Sequence, residues 1–164
     1  MRLARRSRRS RERGRNAVST TGFEYQIVPV VPIRAAGAVI FCRTERGVRV
    51  LVLRAQAKWD LPQGPIAPGE DALDAVTRDV AAETGLADLD FPFGESHMEA
   101  LPSADGKAVS YYIAETEEAE IQPRTSPGRG AAGEAWRWVS FDEAEDLLPP
   151  RLALIMDWAR AAIA

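Results

Sequence analysis

Apolar residues occur along the chain in two kinds of pattern, and runs rich in branched residues predict the strands. Residues 28–42 are rich in Val and Ile, and residues 48–53 form a second run after a turn-like segment at residues 45–47. Branched side chains favour strands, and a glycine such as Gly47 favours a tight turn. The two runs therefore predict an antiparallel pair of strands, with the folded domain beginning near Tyr25.

A helical period replaces the strand pattern over residues 72–84. Asp71 is a natural N-cap with Asp74 as a partial capping-box partner, and Gly85 is a natural C-terminal stop. The apolar residues of this segment are spaced so as to share one face: Leu73, Val76 and Val80. We therefore predict an amphipathic helix whose apolar face packs on the core.

The second half of the chain carries further strand and helix signals. Strands are predicted over residues 89–93, 97–101, 108–114 and 136–139. A polar segment with prolines and glycines predicts a loop over residues 115–133. Ser140 and Glu143 predict a capping box for a helix that ends near Leu148, and residues 151–163 predict a final helix after two prolines. Mixed strands with few helices predict an α/β sandwich.

The composition narrows the class of protein. The 164 residues suffice for one domain with a sizeable core, and 46% hydrophobic with 27% charged residues is ordinary for a globular protein. No uncharged apolar run approaches the roughly 18 residues that span a bilayer, so we expect no membrane segment and a cytoplasmic protein. The single cysteine, Cys42, excludes an internal disulfide, and its apolar surroundings predict a buried strand residue rather than a nucleophile.

The net charge of -3 conceals a basic tail in front of an acidic domain. Residues 1–19 hold eight arginines and one acid, while the rest of the chain holds 13 basic and 23 acidic side chains. This tail lacks the apolar core of a secretory signal and could be a transit peptide, a disordered tail or an extension from a mis-assigned start codon. We expect a disordered Arg-rich tail over residues 1–22 and one domain over residues 23–164.

The tail also bears on the partners of the protein. Clustered arginines can bind nucleic-acid phosphate non-specifically, but no aromatic residues interleave with them, so nucleic acid is the less favoured partner. A small-molecule nucleotide is the favoured partner because of the chemistry of residues 64–86. The sequence leaves open whether the chain forms a homodimer.

Residues 64–86 combine a glycine-containing loop, the predicted helix and carboxylates on one helical flank. Asp79 and Glu83 lie one turn apart beside the apolar stripe. Mg²⁺ prefers oxygen ligands and bridges one or two carboxylates to phosphates, and a glycine loop lets the backbone approach closely. Cleavage of a phosphoanhydride needs neutralised phosphate oxygens and a water placed in line. This stretch therefore predicts a metal-dependent phosphate site.

The same stretch resembles the Nudix box, the signature of enzymes that hydrolyse nucleoside diphosphates linked to another group. The box reads Gly, five residues, Glu, seven residues, Arg-Glu, an aliphatic, any residue, Glu-Glu, any residue, Gly and an aliphatic. The chain matches it in spacing and in these residues: Gly64, Glu70, Arg78, Glu83 and Gly85. It departs at two positions, because Asp79 replaces the glutamate after the arginine and Ala82 replaces the first of the paired glutamates.

The resemblance implies an α/β/α sandwich with a mixed central sheet, and Mg²⁺, with Mn²⁺ as an alternative, as the cofactor. It implies metal binding by four residues: Gln63 through its main-chain carbonyl, Glu70, Asp79 and Glu83. Asp79 and Glu83 are also the implied catalytic residues, and Arg78 is the arginine that orients neighbouring carboxylates. A further catalytic carboxylate from a later loop is implied, with Glu134 favoured over the other candidates: Glu115, Glu117, Glu118 and Glu120.

The flanking segments resemble dinucleoside polyphosphate hydrolases within the same family. Residues 59–64 resemble their Trp-x-Leu-Pro-Lys-Gly segment, with Gln63 in place of the lysine, and residues 107–114 resemble their Lys-x-Val-x-Tyr strand. The implied substrate-binding residues are Trp59, Gln63 and Tyr111, although Trp59 could equally pack beside the loop. The other tryptophans are predicted to lie in the core, namely Trp136, Trp138 and Trp158, and the lone His97 is predicted to be structural.

Two functions follow as expectations. The first is a Mg²⁺-dependent pyrophosphohydrolase that cleaves a nucleoside diphosphate linked to another group, with a dinucleoside polyphosphate as one candidate substrate. The second is a Nudix-fold nucleotide-binding module with impaired catalysis, because Ala82 cannot coordinate a metal and Asp79 is one methylene shorter than glutamate.

Overall fold

The computed structural model of the chain describes residues 35–55, 57–100, 108–118 and 135–164. The arginine-rich tail, Tyr25, Glu120 and Glu134 lie outside these residues. The division into a tail over residues 1–22 and a domain over residues 23–164 therefore stays a prediction. No helix of the described residues is long and apolar enough to cross a membrane.

The described part of the chain contains seven strands, three α-helices and one short 3-10 helix. They are β1 (Ala35–Thr44), β2 (Gly47–Ala55), β3 (Lys58–Asp60), β4 (Gln63–Pro65), α1 (Ala72–Thr84), β5 (His97–Glu99), β6 (Val109–Glu115), β7 (Ala135–Val139), α2 (Phe141–Leu147), the 3-10 helix (Pro150–Leu152) and α3 (Ala153–Ile163).

The strands form one mixed sheet in the order β3-β2-β1-β6-β5, with β4 beside β1 and β7 beside β2. β1 runs antiparallel to β2 and β4 but parallel to β6. The turn between β1 and β2 ends at Gly47, whose φ of 100° favours glycine. The predicted antiparallel pair and the mixed sheet are both confirmed.

The alternation of side chains along β1 divides the core into two layers. Val39 and Phe41 belong to a cluster with α2 and α3, whereas Ala38 and Ile40 belong to a cluster with α1. Helices therefore cover both faces of the sheet, which confirms the predicted α/β/α sandwich. Cys42 is buried in β1, as predicted.

Helix α1 begins and ends where the sequence predicted. The Asp71 side chain accepts a hydrogen bond from the Leu73 amide at 3.1 Å, and Gly85 ends the helix in the left-handed conformation with φ 77°. Val76 and Val80 are fully buried, as expected for the apolar face. The capping box of α2 is also confirmed, because Ser140 and Glu143 exchange both bonds.

Two sequence predictions are wrong. Residues 89–93 form no strand, because Asp90 makes only an isolated bridge to Glu115 and a turn follows, in which Gly94 has φ 57°. Pro92 lies in that turn and has no N–H to donate to a neighbouring strand. Trp136 is 36% exposed instead of buried, since β7 pairs only with β2 among the described strands. Trp138 and Trp158 do pack against the core, each partly buried.

Candidate active site

Asp79 of α1 packs directly against the backbone of Gly64 in β4. A Cβ atom on Gly64 would overlap the carboxylate of Asp79 and would lie 2.9 Å from its Cβ. The Oδ2 atom of Asp79 is buried and has no hydrogen-bond partner among the described residues. The glycine of the box is therefore needed for the close approach of this carboxylate rather than for an unusual backbone angle.

Arg78 ties the loop between β4 and α1 to the helix. Its guanidinium bonds the Glu70 carboxylate, the Pro65 carbonyl at 2.9 Å and Oδ1 of Asp79 at 3.3 Å. The other oxygen of Glu70 accepts a hydrogen bond from the Ala67 amide at 3.0 Å. Both oxygens of Glu70 thus hold the loop in place, so metal binding by Glu70 stays a prediction that these bonds do not support. One oxygen of Asp79 is fixed, while the other has no hydrogen-bond partner among the described residues.

The electrostatics of the two acids differ. The Ala67 amide, followed by Arg78, lowers the pKa of Glu70. Burial raises the pKa of Asp79, and Arg78 opposes that shift without reversing it. Glu70 therefore stays ionised. Burial destabilises the negative charge of Asp79, and a bound cation would stabilise it.

Asp60 connects the C-terminal part of the chain to the same loop. Its carboxylate accepts hydrogen bonds from the Leu61 amide at 2.8 Å, from Nε2 of Gln63 at 3.1 Å and from Arg151 at 3.0 Å. Arg151 lies in the 3-10 helix before α3. The side chain of Gln63, next to Gly64, is thus held by a residue from the far end of the chain.

Trp59 lies one residue before Asp60 and carries two arginines on its ring. The guanidinium carbon of Arg54 lies 5.8 Å from the ring centroid, and that of Arg137 lies 5.1 Å away. Arg54 is directly opposite Trp59 in the pairing of β2 with β3. The ring is partly buried against the α2–α3 layer of the core. It therefore packs on the core and keeps an exposed part that a ligand can contact.

The sequence model of the NUDIX domain family matches residues 31–159 of the chain. The chain belongs to the Nudix family. It is 28% identical to the asymmetrical bis(5'-nucleosyl)-tetraphosphatase of Rattus norvegicus over 68% of this chain and 82% of that protein. It is 29% identical to the RNA pyrophosphohydrolase of Legionella pneumophila (strain Corby) over 53% of this chain and 58% of that protein.

Solved structures agree on the fold. A C. elegans Ap4A hydrolase binary complex superposes with a TM-score of 0.68 at 23% identity, covering 79% of this chain and 98% of that chain. The NUDIX domain of Shewanella oneidensis NrtR, complexed with ADP ribose, superposes with a TM-score of 0.62 at 17% identity, covering 79% and 87%. The predicted Nudix fold and the predicted enzyme class, a Nudix hydrolase, are confirmed by these matches.

Nudix hydrolases generally use divalent metal ions, and the donors of this Nudix site fit one. Asp79 offers a buried, unpartnered carboxylate oxygen, and Glu83 follows one turn later on the same helix. No three His, Cys, Asp or Glu side chains of the described residues are arranged to hold a metal by themselves. This limited set suits Mg²⁺, which needs only one or two carboxylates when phosphate oxygens and water complete its shell.

The structure brings some of the predicted site residues together and leaves others apart. Arg78, Asp79 and Glu70 meet at the junction of β4 and α1, with Gln63 beside them, whereas Ala82 is exposed on the helix. Glu134 lies outside the described residues. Sequence reasoning missed Asp60, Arg151, Arg54 and Arg137, and no motif identified them, since their partners are defined only by strand pairing and by the packing of the C-terminal segment.

Tyr111 is the predicted substrate-binding residue that the structure places deepest. Its ring is fully buried and fits against Gly37, where a Cβ atom would lie 2.6 Å from the ring. No hydrogen bond of standard geometry reaches its hydroxyl from the described residues, although Arg151 lies close enough to act on it. Burial, and then the charge of Asp60, raise the pKa of Tyr111 to about 12, while Arg151 acts in the opposite direction. Substrate contact by Tyr111 stays a prediction that this burial does not support.

Proposed function

We propose that the chain is a Mg²⁺-dependent pyrophosphohydrolase that cleaves a phosphoanhydride in a nucleoside diphosphate linked to another group. The observation that carries the proposal is the buried, unpartnered oxygen of Asp79, held against Gly64 at the start of the box. An ionised carboxylate in that position is costly unless a cation or a proton satisfies it. This oxygen lies where the first glycine of the Nudix box meets the helix of the box.

The residues of the Nudix box have separate roles in the proposed reaction. Asp79, Glu83 and the main-chain carbonyl of Gln63 would hold the cation, which supplies charge neutralisation for the phosphate oxygens. Arg78 fixes one oxygen of Asp79 and keeps the loop closed on the helix through Glu70 and Pro65. Asp79 would also help to orient the attacking water, as the Nudix resemblance implies.

The names of the relatives support the class of substrate. One is a bis(5'-nucleosyl)-tetraphosphatase and another is an RNA pyrophosphohydrolase, so both act on phosphoanhydrides attached to nucleosides. We infer a nucleoside polyphosphate for this chain, with a dinucleoside polyphosphate first. Mn²⁺ is the alternative metal, and a cytoplasmic location and a homodimer stay predictions from the sequence.

The test uses the purified full chain with a panel of substrates and with Mg²⁺ or Mn²⁺. The panel contains a bis(5'-nucleosyl) tetraphosphate, an RNA with a 5'-triphosphate, and ADP-ribose. We expect turnover that chelation abolishes, and a loss of about a hundredfold or more in Asp79→Asn and Glu83→Gln. Asp74→Asn is the matched control, because this exposed aspartate lies on the same helix away from the flank. A well-folded protein that hydrolyses none of the panel would reject the proposal.

The exposed Ala82 supports a second candidate, a nucleotide-binding module with impaired catalysis. At that position the helix has no carboxylate, and the described residues hold no three-acid metal group. Calorimetric binding of the uncleaved nucleotide, without turnover under any metal, would support this candidate. Metal-dependent turnover that Glu83→Gln abolishes would exclude it.

A further inference from the structure

Two arginines of the described residues contact one tryptophan without an ion-pair partner among these residues, although Glu143 and Asp146 line the same pocket as Arg137. Four cation–aromatic contacts occur in this part of the chain, and in two of them the arginine is also ion-paired. Arg43 over Phe41 pairs with Glu115, and Arg160 over Phe141 pairs with Asp142 and Glu145. For Arg54 and Arg137 on Trp59, no acid of the described residues lies within ion-pair distance.

This arrangement has an electrostatic cost that an anion would remove. Both guanidinium carbons lie within 5.8 Å of the same ring centroid, which places the two positive charges at most about 11 Å apart. The Nε atom of Arg54 is moreover buried and lacks a hydrogen-bond acceptor among the described residues. A buried N–H of a cation without an acceptor destabilises the protein, and it is satisfied best by a charged oxygen.

The sheet fixes these three side chains at a definite place. Arg54 is paired with Trp59 across β2 and β3, and Arg137 is paired with Val52 two residues before Arg54 on the same strand. Because side chains alternate along a strand, Arg54 and Arg137 are presented on the same face as Trp59. We call Arg54, Trp59 and Arg137 the arginine platform.

The arginine platform lies a short length of chain from the candidate active site. Trp59 lies four positions before Gln63, which is at most about 14 Å of extended chain. The side chain of Gln63 is bonded to Asp60, the neighbour of Trp59. Gln63 also stands where the resembling hydrolases have a lysine. Trp59 packs on the α2–α3 face of the sheet and α1 packs on the other, so the platform adds positive charge on the face opposite to the helix of Asp79 and Glu83.

We infer that Arg54 and Arg137, positioned by Trp59, bind the anionic phosphate chain of the substrate beyond the bond that is cleaved. This inference rests on the proposed function only in taking the substrate to be a polyphosphate. Arginine suits the task because its planar fork binds phosphate oxygens in pairs. Trp59 then acts by holding the two guanidinium groups in place rather than by stacking on a base.

The test measures binding of inorganic tripolyphosphate to the full chain by calorimetry, without metal and therefore without turnover. We expect the wild-type protein to bind, Arg54→Gln and Arg137→Gln each to raise the Kd about tenfold, and the double variant to raise it further. Arg160→Gln is the matched control, because its guanidinium also lies over an aromatic ring but is already ion-paired. We expect the salt dependence of the Kd to flatten only in the platform variants.

Three results would overturn the inference. They are a wild-type protein that does not bind tripolyphosphate, a double variant that binds it as tightly as the wild type, and an equal effect from Arg160→Gln. Arg54→Lys covers the case in which Arg54→Gln does not fold, since it keeps the charge but loses the fork, and we expect it to bind about as weakly as Arg137→Gln.

Trp59→Leu separates the two roles of the tryptophan, because tripolyphosphate has no base to stack. We expect weaker tripolyphosphate binding in Trp59→Leu, and an unchanged Kd would overturn the positioning role. If the protein also turns over a nucleotide, we expect the platform variants to raise the KM with kcat changed less than about twofold. A protein without any turnover would reject the proposed function, while the tripolyphosphate titration would still decide the platform.

Discussion

Gly64 and Asp79 are packed so closely that a Cβ atom on Gly64 would lie 2.1 Å from Oδ2 of Asp79. The contact joins the loop of the Nudix box to its helix, and it places the unpartnered oxygen of Asp79 beside the backbone that precedes the helix. The φ of Gly64 is not among the left-handed values of this chain. Sterics, and not backbone freedom, therefore explain the glycine at this position.

Gly64→Ala should displace Asp79 and disable the site. We expect a loss of stability of about 1–3 kcal/mol from overpacking, and a fall in kcat of about a hundredfold from misplacement of the carboxylate. A double-mutant cycle with Asp79→Ala checks the cause by urea denaturation. The destabilisation by Gly64→Ala should be smaller in the Asp79→Ala background, because the overlap with the carboxylate is gone and only the 2.9 Å contact with Cβ remains. Additive losses would contradict the contact as its origin.

Ala82→Glu should strengthen metal binding, because it adds a carboxylate between Asp79 and Glu83 on the helix. We expect the metal concentration for half-maximal turnover to fall about tenfold, with stability changed by less than about 0.5 kcal/mol since the position is exposed. Ala82→Gln, which adds the same length without charge, is the control. An unchanged metal titration in Ala82→Glu would mean that another acid, such as Glu134, already completes the site.

Arg151→Gln should weaken metal binding at the site, although Arg151 itself does not contact the metal. The substitution removes the 3.0 Å bond to Asp60 and so loosens the carboxylate that holds Gln63. Because outer partners orient metal-binding groups, we expect the metal requirement for turnover to rise about tenfold. The comparison with Arg160→Gln, an arginine of α3 that pairs with α2, separates this from a general loss of packing. Equal metal requirements in both variants would contradict a positioning role for Arg151.

Tyr111→Phe should change the alkaline stability of the protein. The pKa of Tyr111 is about 12 in the fold against 10.0 for an ordinary tyrosine. Between these values the unfolded chain loses the proton and the fold keeps it, so the free energy of unfolding falls as pH rises from about 10 to 12. We expect the free energy of unfolding of the wild type to fall by roughly 2–3 kcal/mol more than that of the variant between about pH 10 and pH 12.

The same variant tests the location of the hydroxyl at neutral pH. Because the hydroxyl is buried and no hydrogen bond of standard geometry reaches it from the described residues, we expect Tyr111→Phe to equal or exceed the wild type in stability at pH 7, by up to about 1 kcal/mol. Chemical denaturation at a series of pH values provides both measurements. Parallel profiles of stability against pH for the two proteins would show that the phenol is solvated. A raised KM in the variant would indicate that Tyr111 contacts the substrate.

The features that the sequence predicted well are encoded by neighbours in the chain. The bounds of α1 follow from Asp71 and Gly85, and the start of α2 follows from Ser140 and Glu143, because caps act within one helical turn. The Nudix spacing likewise places Arg78 and Asp79 correctly relative to the loop. These signals need no knowledge of the tertiary fold.

The features that the sequence could not predict depend on distant pairings. Asp60 and Arg151 are 91 residues apart in the chain, and Arg54 meets Arg137 only because β7 lies beside β2. The apolar residues around Phe91 and Phe93 resembled a strand, but a strand also needs a partner, and Pro92 and Gly94 favour a turn there. Local pattern thus determined the helix of the site, while its supports arise from strand order.

The first residues of β1 have a consequence for the order in which the protein folds. Ala35, Ala36 and Gly37 pair with β4 on one side and with β6 on the other. Strand β4, which carries Gly64, is therefore anchored to a strand whose other neighbour, β6, is made much later in synthesis. Closing such long loops is slow and entropically costly. A nascent chain that ends before Val109 would contain the whole Nudix box and still lack a stable catalytic geometry.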